Sequence, residues 1–116
     1  MSSASDKRDT QRIPILGDLQ GEIMVLEPLQ VKDLGPGGAS IETTFPLALD
    51  SLHELRLNLS GTSVVVKGRV VHARISDVHQ EIVTYWSGIE FVEPSNHVRT
   101  VIADFLQSVQ ASRSGV

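Results

Sequence analysis

Two short stretches carry residues whose types and spacing suit the holding of a small ligand, one a cationic cluster and the other a carboxylate beside a glycine-rich turn. The first is Lys7-Arg8-Asp9-Thr10-Gln11-Arg12, with two arginines four apart and a lysine beside them. The second is Asp33-Leu34-Gly35-Pro36-Gly37-Gly38, a carboxylate followed by three glycines and a proline. Clustered cationic side chains attract a small anion even where the whole chain is acidic. Pro36 fixes its φ near −65° and removes a backbone donor, while glycine permits left-handed angles that other residues resist. A plain hairpin needs glycine at only one or two turn positions. Three glycines within four residues suit a backbone that another group approaches closely, with Asp33 fixed at its edge. Each stretch also has a plainer reading: a solvated basic tail for the first, a well-made turn with a local Asp cap for the second.

The elements that must position these residues are strands. Leu29 and Val31 alternate with Gln30 and Lys32, and beyond the turn Ala39, Ile41, Thr43 and Phe45 alternate with Ser40, Glu42 and Thr44. Period two marks a half-buried strand, so residues 29–35 and 39–45 form a hairpin around the glycine turn. Residues 19–27 form an earlier strand whose buried face the poor periodicity does not decide. In residues 53–60, Leu55, Leu57 and Leu59 share one face, with Glu54, Arg56 and Asn58 on the other. Residues 63–75 form a long β-branched strand, and Gly68 at its middle predicts a bulge or bend. Residues 76–81 read as a polar turn, and residues 82–92 as the last strand.

Pro94-Ser95-Asn96 opens a helix with Ser95 or Asn96 as N-cap. Val98, Val101, Ile102, Phe105, Leu106 and Val109 then form one apolar stripe, which is buried on the same domain rather than kept for a partner. Regularly spaced short strands with turns between them predict a mainly β, β-rich α+β domain. It is a small antiparallel barrel of six to seven strands with a C-terminal helix. Residues 1–14 form a flexible N-terminal arm, residues 15–111 the barrel and helix, and residues 112–116 a disordered tail.

A chain of 116 residues suits one domain with its own core. It has no cysteine, which rules out disulfides, thiolate zinc sites and a cysteine nucleophile, and fits a reducing compartment. The apolar runs are short and the N-terminus is polar, so a cytoplasmic soluble protein without membrane insertion is the expectation. A net charge of −4 opposes a broad DNA or RNA footprint, and leaves room for a small anion where basic residues gather.

Other groupings carry less. His72, Asp77 and His79 flank a turn, but no further histidine or cysteine has ligand spacing, so no metal is expected. There is no Gly-x-Ser-x-Gly elbow, and the glycine turn lacks the Lys-Ser/Thr of a phosphate loop. No catalytic set supports an enzyme. Trp86 beside Tyr85 reads as core or rim packing in preference to a stacking platform for a base.

Arg8-x-x-x-Arg12, followed about twenty residues on by Asp33-x-Gly35-x-x-Gly38, resembles the PilZ domain. That family pairs an RxxxR arm with a (D/N)xSxxG turn. Arg12-Ile13-Pro14 is similar to the family's exit from the arm. Lys67-Gly68-Arg69-Val70-Val71 resembles its central strand, and Ser87-Gly88-Ile89-Glu90-Phe91 its late Gly-x-x-Phe strand. The likeness runs in order from about residue 7 to the helix.

The resemblance implies a receptor or adaptor for cyclic di-GMP, a cytoplasmic second messenger with two guanines and two phosphodiesters, and no cofactor. Arg8 and Arg12 are then assigned to phosphate clamping, guanine-edge contacts and stacking, for which the guanidinium is suited. Asp33 accepts from guanine N1–H and N2–H, Gly38 admits the ligand to the backbone, and Lys7 adds charge or is solvated. Gly35 stands where the family has serine. The lost hydrogen bond is worth about 0.5–1.5 kcal/mol, so Gly35→Ser is expected to strengthen binding, and a PilZ-like adaptor that binds only protein is the alternative. In the first reading the ligand orders the arm, and an unidentified downstream protein reads the new surface.

Overall fold

The computed structural model describes residues 11–23 and 27–114. Seven strands and one helix follow in chain order. They are β1 (Ile13–Pro14), β2 (Gln20–Ile23), β3 (Glu27–Gly35), β4 (Gly38–Thr43), β5 (Leu52–Leu59), β6 (Thr62–His79), β7 (Ile82–Phe91) and α1 (Asn96–Ser114). All strand pairings are antiparallel. The order is β3-β2-β5-β6-β7-β4, and β4 pairs back onto β3, so the sheet closes into a barrel-like ring. The mainly β architecture with a single C-terminal helix is therefore as expected. No helix among the described residues is long and apolar enough to cross a membrane.

β1 and β2 lie on the same edge of β3. Ile13 faces Leu34 and Pro14 faces Asp33, while Gln20 faces Gln30 further back along that strand. Between them the chain leaves the sheet and returns, held by Ile15 N–H donating to Lys32 O at 3.0 Å and Val31 N–H to Leu19 O at 2.8 Å. The last two residues of the expected arm, Ile13 and Pro14, are thus part of the sheet.

Strand periodicity explains the core. Leu55, Leu57 and Leu59 point inward from β5, as do Val64, Val66 and Val70 from β6. Between them Arg56, Asn58, Val65 and Lys67 are exposed and Arg69 is half-buried. On α1, Val98, Ile102 and Leu106 are buried, and Val101, Phe105 and Val109 pack beside them. The helix therefore caps the core with the stripe read from sequence. Burying each large aliphatic contributes about 1.5–3 kcal/mol. Ser95 caps α1, its Oγ accepting from Val98 N–H at 3.2 Å.

Three details differ from the sequence reading. The β6–β7 hairpin is longer than expected. β6 continues through Ser76–His79, and the turn contains only Gln80 and Glu81, with φ of 50° and 71°. Two consecutive left-handed residues make a type I′ turn, whose twist matches a hairpin without any glycine. The irregularity of β6 is not at Gly68 but falls between Val70 and His72 and again between Ile75 and Asp77. Gly68 is needed because a Cβ there would collide with the side chain of Ile89. Finally, α1 runs to Ser114, three residues beyond the expected boundary. Arg113 in its last turn donates to Pro14 O, tying that turn to β1.

His53 on β5 is half-buried beside Ser51, with Nε2 2.7 Å from Ser51 Oγ. Ser51 spends its own hydrogen on Ala48 O, so His53 Nε2 is the donor of this pair. Burial holds the imidazole pKa below its ordinary 6.5.

Candidate functional site

The site is built at the corner where β1, β3 and β4 meet. Val31 and Leu34 are both fully buried, although residues three apart on a regular strand face opposite ways. A register shift between Val31 and Asp33 reconciles them. The extra residue, Lys32, leaves Asp33 on the outer face and returns Leu34 to the core. The bulge therefore aims the carboxylate outward.

Asp33 Oδ1 accepts the Ser40 N–H from β4 at 3.0 Å. The same oxygen lies 3.3 Å from Arg12 Nη1. Arg12 and Asp33 side chains are 35% and 27% exposed, so the pair is open to solvent on one side. Among the described residues no donor reaches Asp33 Oδ2. Oδ1 is thus occupied within the protein.

The glycines act through volume. Neither Gly35 nor Gly38 has a left-handed φ. A Cβ at Gly35 would overlap the Gln11 carbonyl oxygen and approach Arg12 Cδ to 3.2 Å. A Cβ at Gly38 would overlap the Ile89 carbonyl oxygen and sit 2.8 Å from Arg12 Nη2. The approach expected of this turn is real, but what approaches is the protein's own arm root. The guanidinium of Arg12 lies across Gly38, and the Gln11 backbone lies against Gly35. A serine at position 35 would have to displace Gln11, which stands against the gain expected from Gly35→Ser.

Arg12, Asp33, Gly35 and Gly38 are thus brought together from positions up to 26 residues apart. Lys7 and Arg8 lie outside the described residues. Sequence reading missed two participants, the Ser40 amide and the Gln11 backbone. Alternation placed Ser40 outward, but only the bulged register sets it opposite Asp33.

A cleft of about 210 Å³ adjoins the corner, lined by Gln11, Ile13 and Pro36 and by Leu106 and Gln107 of α1. A larger groove, about 630 Å³, lies between the β1–β2 connection, the β5–β6 turn and the end of α1. It contains none of the corner residues, so size does not identify the site here.

A closed antiparallel ring, capped by one helix and carrying an arginine–aspartate pair on a glycine corner, makes a small β-ring domain. Residues 6–108 match the PilZ domain, and the chain belongs to that family. No curated protein matches the sequence. Among solved structures, MrkH of K. pneumonia in its apo state is similar at 17% identity with a TM-score of 0.73, over 90% of this chain and 52% of MrkH. The MrkH–cyclic di-GMP complex matches with a TM-score of 0.69 at 17% identity, over 90% of this chain and 53% of that one. The PilZ domain of YcgR from Escherichia coli, solved with cyclic di-GMP, matches with a TM-score of 0.65 at 13% identity. That match covers 91% of this chain and 96% of the YcgR domain. These likenesses establish the fold. The chain spans about half the length of MrkH.

Proposed function

We propose that this chain is a cyclic di-GMP-binding regulatory domain whose ligand is held at the Arg12–Asp33 corner. The observation that carries the reading is the meeting of Arg12 with Asp33 and Gly38, the second arginine of one family motif and the ends of the other. Asp33 Oδ2 accepts the paired N–H groups of a guanine edge, while Oδ1 stays tied to Ser40. Arg12, directly before β1, directs its fork at a phosphate or base acceptor, and Arg8 and Lys7 add charge from the arm. PilZ structures solved with cyclic di-GMP support the choice of ligand. The role is binding and regulation rather than catalysis, at work in the cytoplasm.

The division of labour is part of the proposal. The residues before β1 act as an arm rooted by that strand, and the ring with α1, which runs to Ser114, as the body. Ordering each arm residue costs about 1–2 kcal/mol of backbone entropy, so several charge-assisted contacts must form together. The ordered arm then offers a new surface to a separate protein, since a net charge of −4 disfavours nucleic acid as the reader.

Calorimetry with cyclic di-GMP tests this. Saturable binding is expected in the wild type, with Arg12→Ala weaker by roughly ten- to a hundredfold, the worth of a charge-assisted bond. Equal affinity in Arg12→Ala would remove the corner from the site. Hydrogen exchange of residues 1–10 should slow with ligand; unchanged exchange rules out ordering of the arm.

A further inference from the structure

The long β6–β7 hairpin leaves the ring before it ends. Pairing of β5 with β6 stops at Leu52 opposite Arg69, and the loop before β5 then holds Val70 through Asp50 and Ser51. Pairing of β4 with β7 stops at Thr43 opposite Tyr85. Over residues 71–79, β6 therefore pairs with β7 alone, and among the described residues no strand runs along its other edge. Nine residues of open edge exceed a typical whole strand, about five or six residues long. This edge contains neither proline nor lysine, two residues that commonly blunt one.

The bulges of β6 decide what the edge presents. Ala73 lies opposite the buried Ser87, so it continues the inward row of Val70. Ile75 opposite Tyr85 and Val78 opposite Val83 carry that row beyond the core. There Ile75 is 56% exposed and Val78 60%. Arg74 is on the outer face, and the second bulge sets Ser76 and Asp77 together against Thr84 on the same face. Arg74 rests 4.7 Å over the ring of Trp86. Among the described residues neither Arg74 nor Asp77 has an ion-pair partner.

Laid antiparallel against its own copy, this edge is self-complementary in one register. Ile75 faces Ile75 of the copy on a two-fold axis. Ala73 then faces Val78, and Arg74 faces the bulge of Ser76 and Asp77, each arrangement occurring twice. Facing residues share one side of the sheet, as strand pairing demands, and a slip of one residue would break that match. The bulge keeps the two-against-one count it already has with β7. The inner side gains one continuous apolar row, and the outer side gains two arginine–aspartate pairs.

We infer that residues 71–79 of β6 form an isologous interface with a second copy of this chain, joining two rings through one continuous sheet. Complementarity of charge names the occupant. An unpaired arginine and an unpaired aspartate on either side of an exposed isoleucine are answered by the same edge reversed. The inference does not depend on the ligand reading.

Sedimentation velocity of the full chain without ligand tests it. A concentration-dependent dimer is expected, and a monomer up to high micromolar concentration would overturn the interface. Arg74→Asp sets like charges opposite each other twice and should raise the dissociation constant roughly tenfold or more. Asp77→Arg should do the same, and the two changes combined should restore the wild-type value. A dimer indifferent to both single reversals would place the contact elsewhere, and no restoration in the double variant would overturn the register. The chain has no cysteine, so Ile75→Cys supplies one thiol per copy. Mild oxidation should link two copies, because facing residues have Cα atoms about 4.5–5.5 Å apart, within disulfide reach. Val65→Cys, exposed on the part of β6 that β5 already covers, should not link. Equal linking of both variants, or of neither, would overturn the proposal. If the charge variants fail to fold, the wild-type sedimentation and the crosslink decide.

Discussion

Two hairpins of this ring solve opposite problems. The β3–β4 hairpin turns through Pro36 and Gly37 with glycines on both sides, and neither Gly35 nor Gly38 needs an unusual φ. The β6–β7 hairpin turns through Gln80 and Glu81, both left-handed, with no glycine at all. Conformational freedom would place glycine in the second hairpin. Available volume places it in the first, where the arm root and the Ile89 backbone leave no space for a Cβ. The glycines of this corner therefore provide clearance, whereas the β6–β7 turn, exposed at Gln80 and Glu81, holds two left-handed residues without one.

The comparison breaks most readily at Gly38. Gly38→Val should force the Ile89 backbone and Arg12 apart, costing about 3 kcal/mol or more and lowering Tm by roughly 10–20 °C. A thermal melt within two or three degrees of wild type, about the effect of a surface change, would mean the corner has slack. Gly35→Ser should displace Gln11 and weaken cyclic di-GMP binding by roughly tenfold, about 1.4 kcal/mol. Tighter binding in calorimetry would restore the hydrogen-bond account of this position.

Asp33 separates structural from ligand roles within the corner. Asp33→Ala leaves the buried Ser40 amide without its acceptor, a loss of about 1–3 kcal/mol in chemical denaturation. Asp33→Asn retains an acceptor oxygen and should keep most of that stability. Equal losses in the two variants would show that charge, not the amide contact, holds β4. In the other hairpin, Glu81→Gly relieves a left-handed residue and should stabilise by about 1 kcal/mol. A loss of stability instead would show that Glu81 makes contacts the turn depends on.

A smaller effect comes from outside both hairpins. His53 is held below its ordinary pKa of 6.5 by burial. Between the folded and unfolded pKa values the unfolded chain binds more protons, so stability rises with pH there. The contribution is therefore complete above about pH 6.5 and falls away as pH drops through the folded value. Melting temperature against pH should decline on acidification below neutrality, and His53→Gln should flatten that slope.

Much of this was legible from periodicity. The leucines of β5 and the stripe of α1 encode their buried faces directly, and the glycine turn with its preceding aspartate marked the corner. The bulge at Lys32 was not legible, because a shift of one residue is set by which neighbours need burial, not by local pattern. The reach of β6 through His79 was hidden because Ser76–Glu81 is polar and turn-like in composition, and only pairing with β7 makes it strand. The use of glycine for clearance was also hidden, since composition does not distinguish space from torsion. The assignments to Lys7 and Arg8 still rest on the motif alone.

β1, two residues long, has a kinetic meaning. Ile13 and Pro14 are fastened to β3, and Arg113 grips the Pro14 carbonyl from the other side. Arg12 is therefore on a leash of one residue. Its effective concentration at the corner stays high whatever the rest of the arm is doing. In the proposed site, the ligand meets Arg12 already beside Asp33.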